Sequence, residues 1–347
     1  MEEPSGPLFS WKSVVKRLVV VLIAGVALYY VTPTIIEMFH DWPKLATLNP
    51  WWLLVALVAE AGHFACTFSL QRIALRTKAW FSVVTAQLAG NAISLIVPGG
   101  AAAGAAVQFR MLATSGMDAG DSVGGLTAFS LLGVGGLLAL PVFVLPVVLF
   151  GAPVASGLEH AAIIGAVAFF LFAGFGAMVL VTDKPLVVAG RTVQRVRNRL
   201  LRKRPPITGL DETLLGQRNL IRSVLGKRWW QATLLSTGRL GLDYLCLDAS
   251  VRAVGSHPRP SLVLLAYAVA GVIGLVPITP GGLGIVEASL TGLLVLAGVS
   301  AGDAVLATLT YRLASYWIPM FCGPLAYGAF KWRYRDRHPK APTPAVT

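Results

Sequence analysis

Long apolar runs alternate with short polar segments along this chain, and the lengths of the runs predict its architecture. Six runs contain 19 to 29 residues each, and a helix needs about 20 mostly apolar residues to cross a bilayer. We therefore predict full spans at residues 18–36, 51–70, 122–150, 159–182, 229–254 and 303–328. Two further apolar regions, 79–115 and 261–297, carry Pro-Gly-Gly in their middle, and we predict a broken hairpin in each. The expected fold class is an all-α polytopic membrane protein.

The two broken regions contain a repeat. Residues 97–121 and 279–303 align without a gap and are identical at nine of 25 positions. The identities include both Pro-Gly-Gly triplets, which are Pro98, Gly99 and Gly100 in the first copy and Pro280, Gly281 and Gly282 in the second. Helix breaks at corresponding places in two halves of a chain indicate a transporter binding site.

The broken segments also allow a purely structural interpretation. Backbone groups freed by a break must be buried in protein or line a wet cavity, because lipid cannot satisfy them. A helix that starts after a break presents free N–H groups and partial positive charge, which suit an anionic headgroup. Alternatively, the glycines only allow close helix packing, as Gly100 and Gly104 would in a small-xxx-small pair.

Composition excludes a soluble globule and, with it, a nucleic-acid-binding domain. The chain is 55% hydrophobic and 13% charged, with a mean hydropathy of +0.69, whereas soluble domains carry about 25% charged residues. The net charge of +13 does not indicate nucleic acid, because 12 of the 29 Lys and Arg residues lie in segment 183–228 and most others flank apolar spans. That distribution is typical of the positive-inside rule.

Loop charge predicts the orientation. One set of loops holds 23 Lys and Arg residues and the other holds two, so both termini are expected in the cytoplasm. Three full spans separate the two hairpins, so the hairpins enter from opposite sides and the repeat is inverted, whether each hairpin is re-entrant or fully spanning. The expected organisation is a cytoplasmic N-terminus, one transmembrane domain with two repeat cores and a basic cytoplasmic segment, and a basic tail, at residues 1–17, 18–328 (cores 79–150 and 261–328, segment 183–228) and 329–347.

The basic segment has helical periodicity. Arginines recur on one face and apolar residues on the opposite face: Arg191, Arg195, Arg199 and Arg202 against Val193, Val196 and Leu200. This pattern favours an amphipathic helix on the anionic inner leaflet. A solvated basic linker is the alternative.

Ionisable residues inside apolar spans are costly and therefore indicate function. Arg110 follows the first break, Glu287 lies seven residues after Pro280, and Arg312 lies in the next span. We expect Arg110 and Arg312 to bind a phosphate, because a guanidinium offers planar bidentate donors. Glu287 would balance an arginine or carry a proton. A structural ion pair without a ligand is the alternative.

Two further pairs of ionisable residues are expected to have local roles. Arg239 and Asp243 are four residues apart on one helix, and we predict a local ion pair. Glu60 and His63 share a helix face, which would suit a proton relay.

The sequence shows no catalytic or cofactor motif. Its three cysteines lie inside apolar spans, and neither they nor the five histidines have a metal-binding spacing. There is no Walker A motif and no serine-hydrolase elbow. We therefore expect no metal, no cofactor and no enzyme activity.

Several motifs resemble those of a known family. The residues that carry the resemblance are Asn91, Val97-Pro98-Gly99-Gly100, Arg110, the run Thr279-Pro280-Gly281-Gly282-Leu283-Gly284-Ile285-Val286-Glu287, Tyr311, Arg312, Pro319 and Gly323. The chain resembles the flippase-like family of the lysylphosphatidylglycerol synthase transmembrane region, which includes YbhN-type integral membrane proteins, over most of residues 15–330. In bifunctional members this region moves an aminoacylated lipid between leaflets, and a separate soluble aminoacyltransferase domain makes that lipid.

The resemblance implies lipid translocation without lipid synthesis, because only about 19 residues follow the last predicted span. It also adds Asn91, Thr279 and Tyr311 to the expected substrate-binding residues. We expect a lipid flippase or lipid-linked-precursor transporter in a bacterial cytoplasmic membrane, acting on an anionic phospholipid or a polyprenyl-phosphate-linked lipid. The alternative is a non-transporting, lipid-binding accessory subunit that works with cell-envelope enzymes.

Overall fold

A computed structural model describes residues 48–97, 100–150, 156–200, 209–275 and 279–335. These residues form eleven α-helices and no strand. The helices in chain order are α1 (Pro50–Ala74), α2 (Trp80–Ile96), α3 (Gly100–Thr114), α4 (Ala119–Phe150), α5 (Ser156–Val181), α6 (Lys184–Leu200), α7 (Leu210–Ala253), α8 (Pro260–Gly274), α9 (Ile285–Leu296), α10 (Ala301–Arg312) and α11 (Ile318–Arg333).

Helices occupy the predicted spans and hairpins wherever the structure describes them, and the predicted span 18–36 lies outside the described residues. Two of the described helices have the length and apolarity needed to cross a membrane: α1 and the Ala119–Leu140 part of α4. A third candidate span exists if Phe169–Val179 and Lys184–Arg199, which meet at a bend of 91°, are counted together. The fold is therefore that of an all-helical protein with several apolar helices.

Helix α1 begins where the sequence provides a cap. The Asn49 side chain accepts a hydrogen bond of 3.0 Å from the backbone N–H of Trp51, and Pro50 occupies the first helical turn. Both features favour a helix start, because proline needs no partner for a missing N–H and asparagine satisfies a free donor. Helix α1 packs against α7, and together with α8, α9 and α10 these helices form the main core.

Helix α7 is much longer than the predicted span at residues 229–254. It continues without interruption from Leu210 to Ala253, because the arginine, glutamine and leucine residues before Trp229 are good helix formers. The polar residues before Trp229 end the apolar span, but the helix continues through them.

Helices α2, α3 and α11 form a second packed group in which glycines permit close approach. A Cβ added at Gly104 of α3 would overlap the Ser94 hydroxyl of α2. A Cβ added at Gly323 of α11 would overlap the Cβ of Ala92 and lie 2.9 Å from the carbonyl oxygen of Leu88. Glycines therefore allow α2 to pack closely against both neighbours, and at Gly104 this agrees with the alternative interpretation of the first broken segment.

Replacing Gly323 with alanine is expected to destabilise this group, because the new methyl group has no space and forces α11 away from α2. Overpacking of this kind costs about 1–3 kcal/mol. Thermal unfolding in detergent measures the loss. The matched control is Gly328→Ala on the same helix, where a Cβ meets nothing within 4 Å and alanine should stabilise the helix by about 0.5–1 kcal/mol. Equal unfolding temperatures for the two variants would contradict the packing argument.

Helices α10 and α11 form one nearly continuous rod with a π-helical turn between them. The turn covers Leu313–Trp317 and directly follows Arg312. Such turns insert an extra residue and are frequent at functional sites. Here the turn contains Tyr316 and Trp317, which are both buried.

Helix α6 confirms that the basic segment contains a helix. Its Arg191 donates a hydrogen bond of 3.0 Å to Asp211 at the start of α7, and this bond lowers the pKa of Asp211. Val188, Val193 and Val196 are each at least half exposed, so these three valines are not covered by the described protein. Binding of α6 to a leaflet stays a prediction.

Candidate functional site

The second Pro-Gly-Gly motif forms a tight irregular link between α8 and α9. Pro280–Gly282 make one short turn, and Gly281, Gly282 and Gly284 have φ values of 58°, 72° and 79°. Residues other than glycine rarely adopt this left-handed backbone conformation. The Thr279 hydroxyl donates a hydrogen bond of 2.9 Å to the carbonyl of Leu283, which closes the link.

Glu287 lies in the first turn of α9 and uses both carboxylate oxygens. One oxygen accepts a hydrogen bond of 2.8 Å from the backbone N–H of Gly284, so the carboxylate caps the helix. An acidic group in this position also complements the helix dipole. The other oxygen accepts a hydrogen bond of 2.7 Å from Nε of Arg312. This carboxylate therefore connects the break to α10.

The Arg312 side chain is largely enclosed at the break. The side chains of Arg312 and Glu287 are 10% and 14% exposed. A second guanidinium nitrogen of Arg312 lies 3.5 Å from the carbonyl oxygen of Gly281, at the long limit of a hydrogen bond. The guanidinium carbon lies 4.1 Å from the ring centroid of Tyr316. Arg312 thus contacts a carboxylate, an aromatic face and the unwound backbone.

The structure places the end of the first hairpin arm against the second break. Tyr316 donates a hydrogen bond of 3.1 Å to the carbonyl of Leu95, three residues before Pro98. A Cβ added at Gly281 would lie 2.6 Å from the Tyr316 hydroxyl and 2.9 Å from the same Leu95 carbonyl oxygen. Pro98 and Gly99 lie outside the described residues, while Gly100 begins α3. We call the contact region of Leu95, Gly281, Glu287, Arg312 and Tyr316 the break site.

A second group of ionisable side chains lies between α1 and α7. Glu60, His63 and Asp243 each place one potential metal-ligand atom, a carboxylate oxygen or a ring nitrogen, within 4.8 Å of the other two. His63 Nδ1 lies 2.9 Å from the backbone carbonyl of Arg239. A carbonyl oxygen only accepts, so this contact assigns the hydrogen to Nδ1 and leaves the lone pair of the neutral ring on the other nitrogen.

Asp243 is held by two tyrosines from neighbouring helices. Tyr267 of α8 donates a hydrogen bond of 2.7 Å to one carboxylate oxygen, and Tyr311 of α10 donates one of 2.9 Å to the other. Both tyrosines are buried. The predicted Arg239–Asp243 ion pair is not found among the described residues, and Nε of Arg239 is buried without a hydrogen-bond partner. The tyrosines occupy the oxygens that the sequence analysis assigned to Arg239.

Glu60 completes this cluster with an oxygen, Oε2, that is buried and has no hydrogen-bond partner among the described residues. Carboxylate and imidazole groups at this separation can exchange a proton with each other or bind a small cation as ligands. The sequence pattern groups Glu60 with His63 and Asp243 with Arg239, but it does not indicate that Asp243 and Tyr267 join Glu60 and His63. The sequence shows that Asp243, Tyr267 and Tyr311 lie inside apolar helices, but it does not indicate that they contact one another.

Arg110 lies away from the break site, in a pocket between the ends of α3 and α11. Tyr327, which lines this pocket, lies 15 positions after Arg312 along the continuous helical segment of α10 and α11. This separation corresponds to about 22 Å of helix. The pocket has a volume of about 310 Å³ and is lined by Val107, Arg110, Met111, Thr114, Tyr327, Phe330, Lys331, Tyr334 and Arg335. The structure therefore does not bring Arg110 and Arg312 together. We call this cavity the basic pocket.

Two further predicted site residues also have defined positions. Asn91 is half-buried on α2, and its side chain makes no hydrogen bond within the described part of the chain. Tyr311 faces the Asp243 cluster, while its neighbour Arg312 faces the break site. Consecutive residues of an α-helix point about 100° apart, so the two cannot share one partner.

The sequence of this chain is similar to those of known membrane proteins. The family model described as Lysylphosphatidylglycerol synthase TM region matches residues 17–323. A UPF0104 membrane protein of Methanothermobacter thermautotrophicus is 37% identical over 92 residues, which cover 26% of this chain and 26% of that protein. The aligned part is thus a minor share of the relative's length.

Proposed function

The chain belongs to the family of the lysylphosphatidylglycerol synthase TM region, and from this premise we propose that it moves a phosphate-bearing lipid between the leaflets of the cytoplasmic membrane. The observation that carries the proposal is the break site, where Glu287 and Arg312 meet on an unwound glycine segment. An enclosed arginine at a helix break is suited to a phosphate, which it binds through two parallel N–H donors.

The proposed binding step exchanges one anion for another. In the described conformation, Glu287 holds Arg312 and neutralises it. A lipid phosphate that enters the break site takes the place of the carboxylate on Arg312, while Glu287 keeps its hydrogen bond to Gly284 at the start of α9. The phosphate leaves when the carboxylate returns. Because both states pair the guanidinium, neither leaves a buried positive charge unpaired.

The repeat supplies a way to alternate access. We propose six full spans and two broken hairpins of opposite orientation, with both termini in the cytoplasm, as the loop charges predict. The contact of Leu95 with Gly281 and Tyr316 supports this arrangement, because it places an arm of one hairpin beside the break of the other. Inverted repeats permit rocking of one half against the other around a fixed site.

We propose transport without chemical modification of the lipid. In the described conformation both Glu287 oxygens accept hydrogen bonds, so this carboxylate serves as an anchor for Arg312 and for the start of α9. The accessory-subunit alternative is supported by a different feature, the exposed valines on the basic helix α6, which suit a lipid surface. An accessory protein of that kind would bind lipid without moving it.

Lipid movement is tested in vesicles that contain phosphatidylglycerol with a fluorescent label on one acyl chain. A membrane-impermeant quencher removes fluorescence from the outer leaflet only, so a further decrease measures movement from the inner leaflet. We expect the protein to accelerate that decrease above protein-free vesicles. The expected loss variant is Gly281→Ala, because its Cβ would collide with Tyr316 and Leu95.

The matched control is Gly298→Ala, which has the same kind of backbone strain, with φ at 95°, but meets nothing within 4 Å. It should transport at the unmodified rate. Absence of protein-dependent movement for phosphatidylglycerol and for a labelled polyprenyl phosphate would contradict the proposed function and leave the accessory role.

A further inference from the structure

The basic pocket brings three cationic side chains from two helices onto one cavity. Arg110 comes from the last turns of α3, and Lys331 and Arg335 come from the end of α11 and the residues after it. The lining contains no Asp or Glu. A cavity of about 310 Å³ is within the usual range of small-molecule sites. Its shape and charge together suit an anionic group.

The three pocket cations have no described partner, whereas several other arginines of the fold are paired. Arg312 is paired with Glu287, the guanidinium carbon of Arg333 lies 4.8 Å from the Phe81 ring centroid, and that of Arg72 lies 3.8 Å from the Trp80 ring centroid. In the described part of the chain, Arg110, Lys331 and Arg335 make neither ion pairs nor ring contacts of this kind. Like charges that converge on one cavity repel one another until an anion binds between them.

The walls of the pocket indicate a lipid as the source of that anion. Phe330 is buried, and Val107 and Met111 add apolar surface beside the cations. The neighbouring Trp332 is 84% exposed and Trp80 is 47% exposed. Exposed tryptophans at the ends of apolar helices lie at the headgroup level of a bilayer. A lipid whose headgroup lies at this level can place its anion in the pocket and its apolar chains in the membrane.

We propose that the basic pocket binds the phosphate of an anionic lipid headgroup in the cytoplasmic leaflet, before the lipid reaches the break site. This inference rests on the proposed function for its second step but concerns a separate site, about 22 Å of helix away from Arg312. Arg110 supplies bidentate donors, Lys331 and Arg335 supply charge, and Tyr327 lines the same cavity. Lipids without net negative charge are selected against, because they leave the three cations unneutralised.

Binding is measured by titrating the purified protein in neutral detergent with dihexanoylphosphatidylglycerol, dihexanoylphosphatidylcholine and inorganic phosphate. The test variant replaces Arg110, Lys331 and Arg335 with glutamine. The matched control replaces Arg76, Lys78 and Arg333 with glutamine; these residues are exposed at the same end of the helices, and the net charge falls equally. We expect the test variant to lose about tenfold or more in affinity for phosphatidylglycerol, and the control variant to bind as the unmodified protein does.

Three results would overturn the inference. Equal weakening in the test and control variants would indicate general surface charge, and unchanged binding in the test variant would exclude the pocket. Equal affinity for inorganic phosphate and phosphatidylglycerol would indicate a free-phosphate site.

Vesicle transport separates this inference from the proposed function. The test variant should move lipid slowly at a low phosphatidylglycerol fraction and recover the unmodified rate at a high one. If the unmodified protein moves no lipid but the pocket variant still loses binding, the proposed function fails and the pocket stands.

Discussion

Replacing Glu287 with glutamine is expected to abolish lipid movement while leaving a folded and inserted protein. Glutamine keeps an acceptor for the backbone N–H of Gly284, so the start of α9 retains its cap. It removes the negative charge that holds Arg312 at 2.7 Å. Breaking a buried pair by removing one partner costs roughly 3–5 kcal/mol. We expect a loss at or below the lower limit, because both side chains remain about a tenth exposed.

The vesicle assay at pH 5–8, together with thermal unfolding in detergent, tests this expectation. The second variant is Glu287→Gln with Arg312→Gln, in which two neutral amides replace the ion pair. We expect the double variant to recover much of the lost stability but no transport, because the phosphate-binding guanidinium is gone. Transport by Glu287→Gln at the unmodified rate throughout this pH range would contradict the role of the charge. Recovery of both stability and transport in the double variant would indicate a purely structural pair.

Replacing Asp243 with leucine is expected to cause the largest loss of stability among the substitutions considered. The change leaves the hydroxyls of Tyr267 and Tyr311 without an acceptor in the core, where the two residues are 5% and 8% exposed. An orphaned buried polar group costs about 1–3 kcal/mol, so the two together should cost about 2–6 kcal/mol. Asparagine at this position retains one carbonyl oxygen and should cost less.

Thermal unfolding with a matched control and a rescue variant tests this prediction. The control is Asp248→Leu on the same helix, which removes an ion pair with Arg252 one turn away. That arginine side chain is 28% exposed and can regain water, so we expect a loss of about 1 kcal/mol or less. The rescue variant combines Asp243→Leu with Tyr267→Phe and Tyr311→Phe, which removes the orphaned hydroxyls. Failure of the rescue variant to regain stability would contradict the hydrogen-bond explanation.

The positions of the helices could be predicted because they follow from local chemistry. The expected span at 51–70 is α1 at Pro50–Ala74, and the expected hairpin 261–297 contains α8 and α9 with a break between them. The length of an apolar run and the positions of proline and glycine decide where a helix begins and ends, because they affect the backbone only within a few residues. Glu287 and Arg312 were also recognisable, because an ionisable residue in an apolar run carries its cost wherever the helix packs.

The partners of those residues were decided by tertiary structure. Arg239 was the expected partner of Asp243 because the two are four residues apart, but tyrosines 24 and 68 residues away occupy its carboxylate. Arg110 and Arg312 were both expected to bind a phosphate, because each is an arginine in or near an apolar span. However, the 15-residue helix α3 places Arg110 at its far end, next to Lys331 and Arg335.

The sequence by itself determined that this chain folds into apolar helices interrupted at two related glycine-rich breaks, because backbone conformation and hydrophobic burial depend on residue type and spacing. Only the tertiary structure decided which charges neutralise each other and which remain available to a ligand. That choice depends on distances of a few ångströms between residues that are far apart in the chain. The packing of α1, α7, α8 and α10 encloses Asp243, whereas the packing of α3 and α11 on α2 leaves Arg110 accessible in the basic pocket.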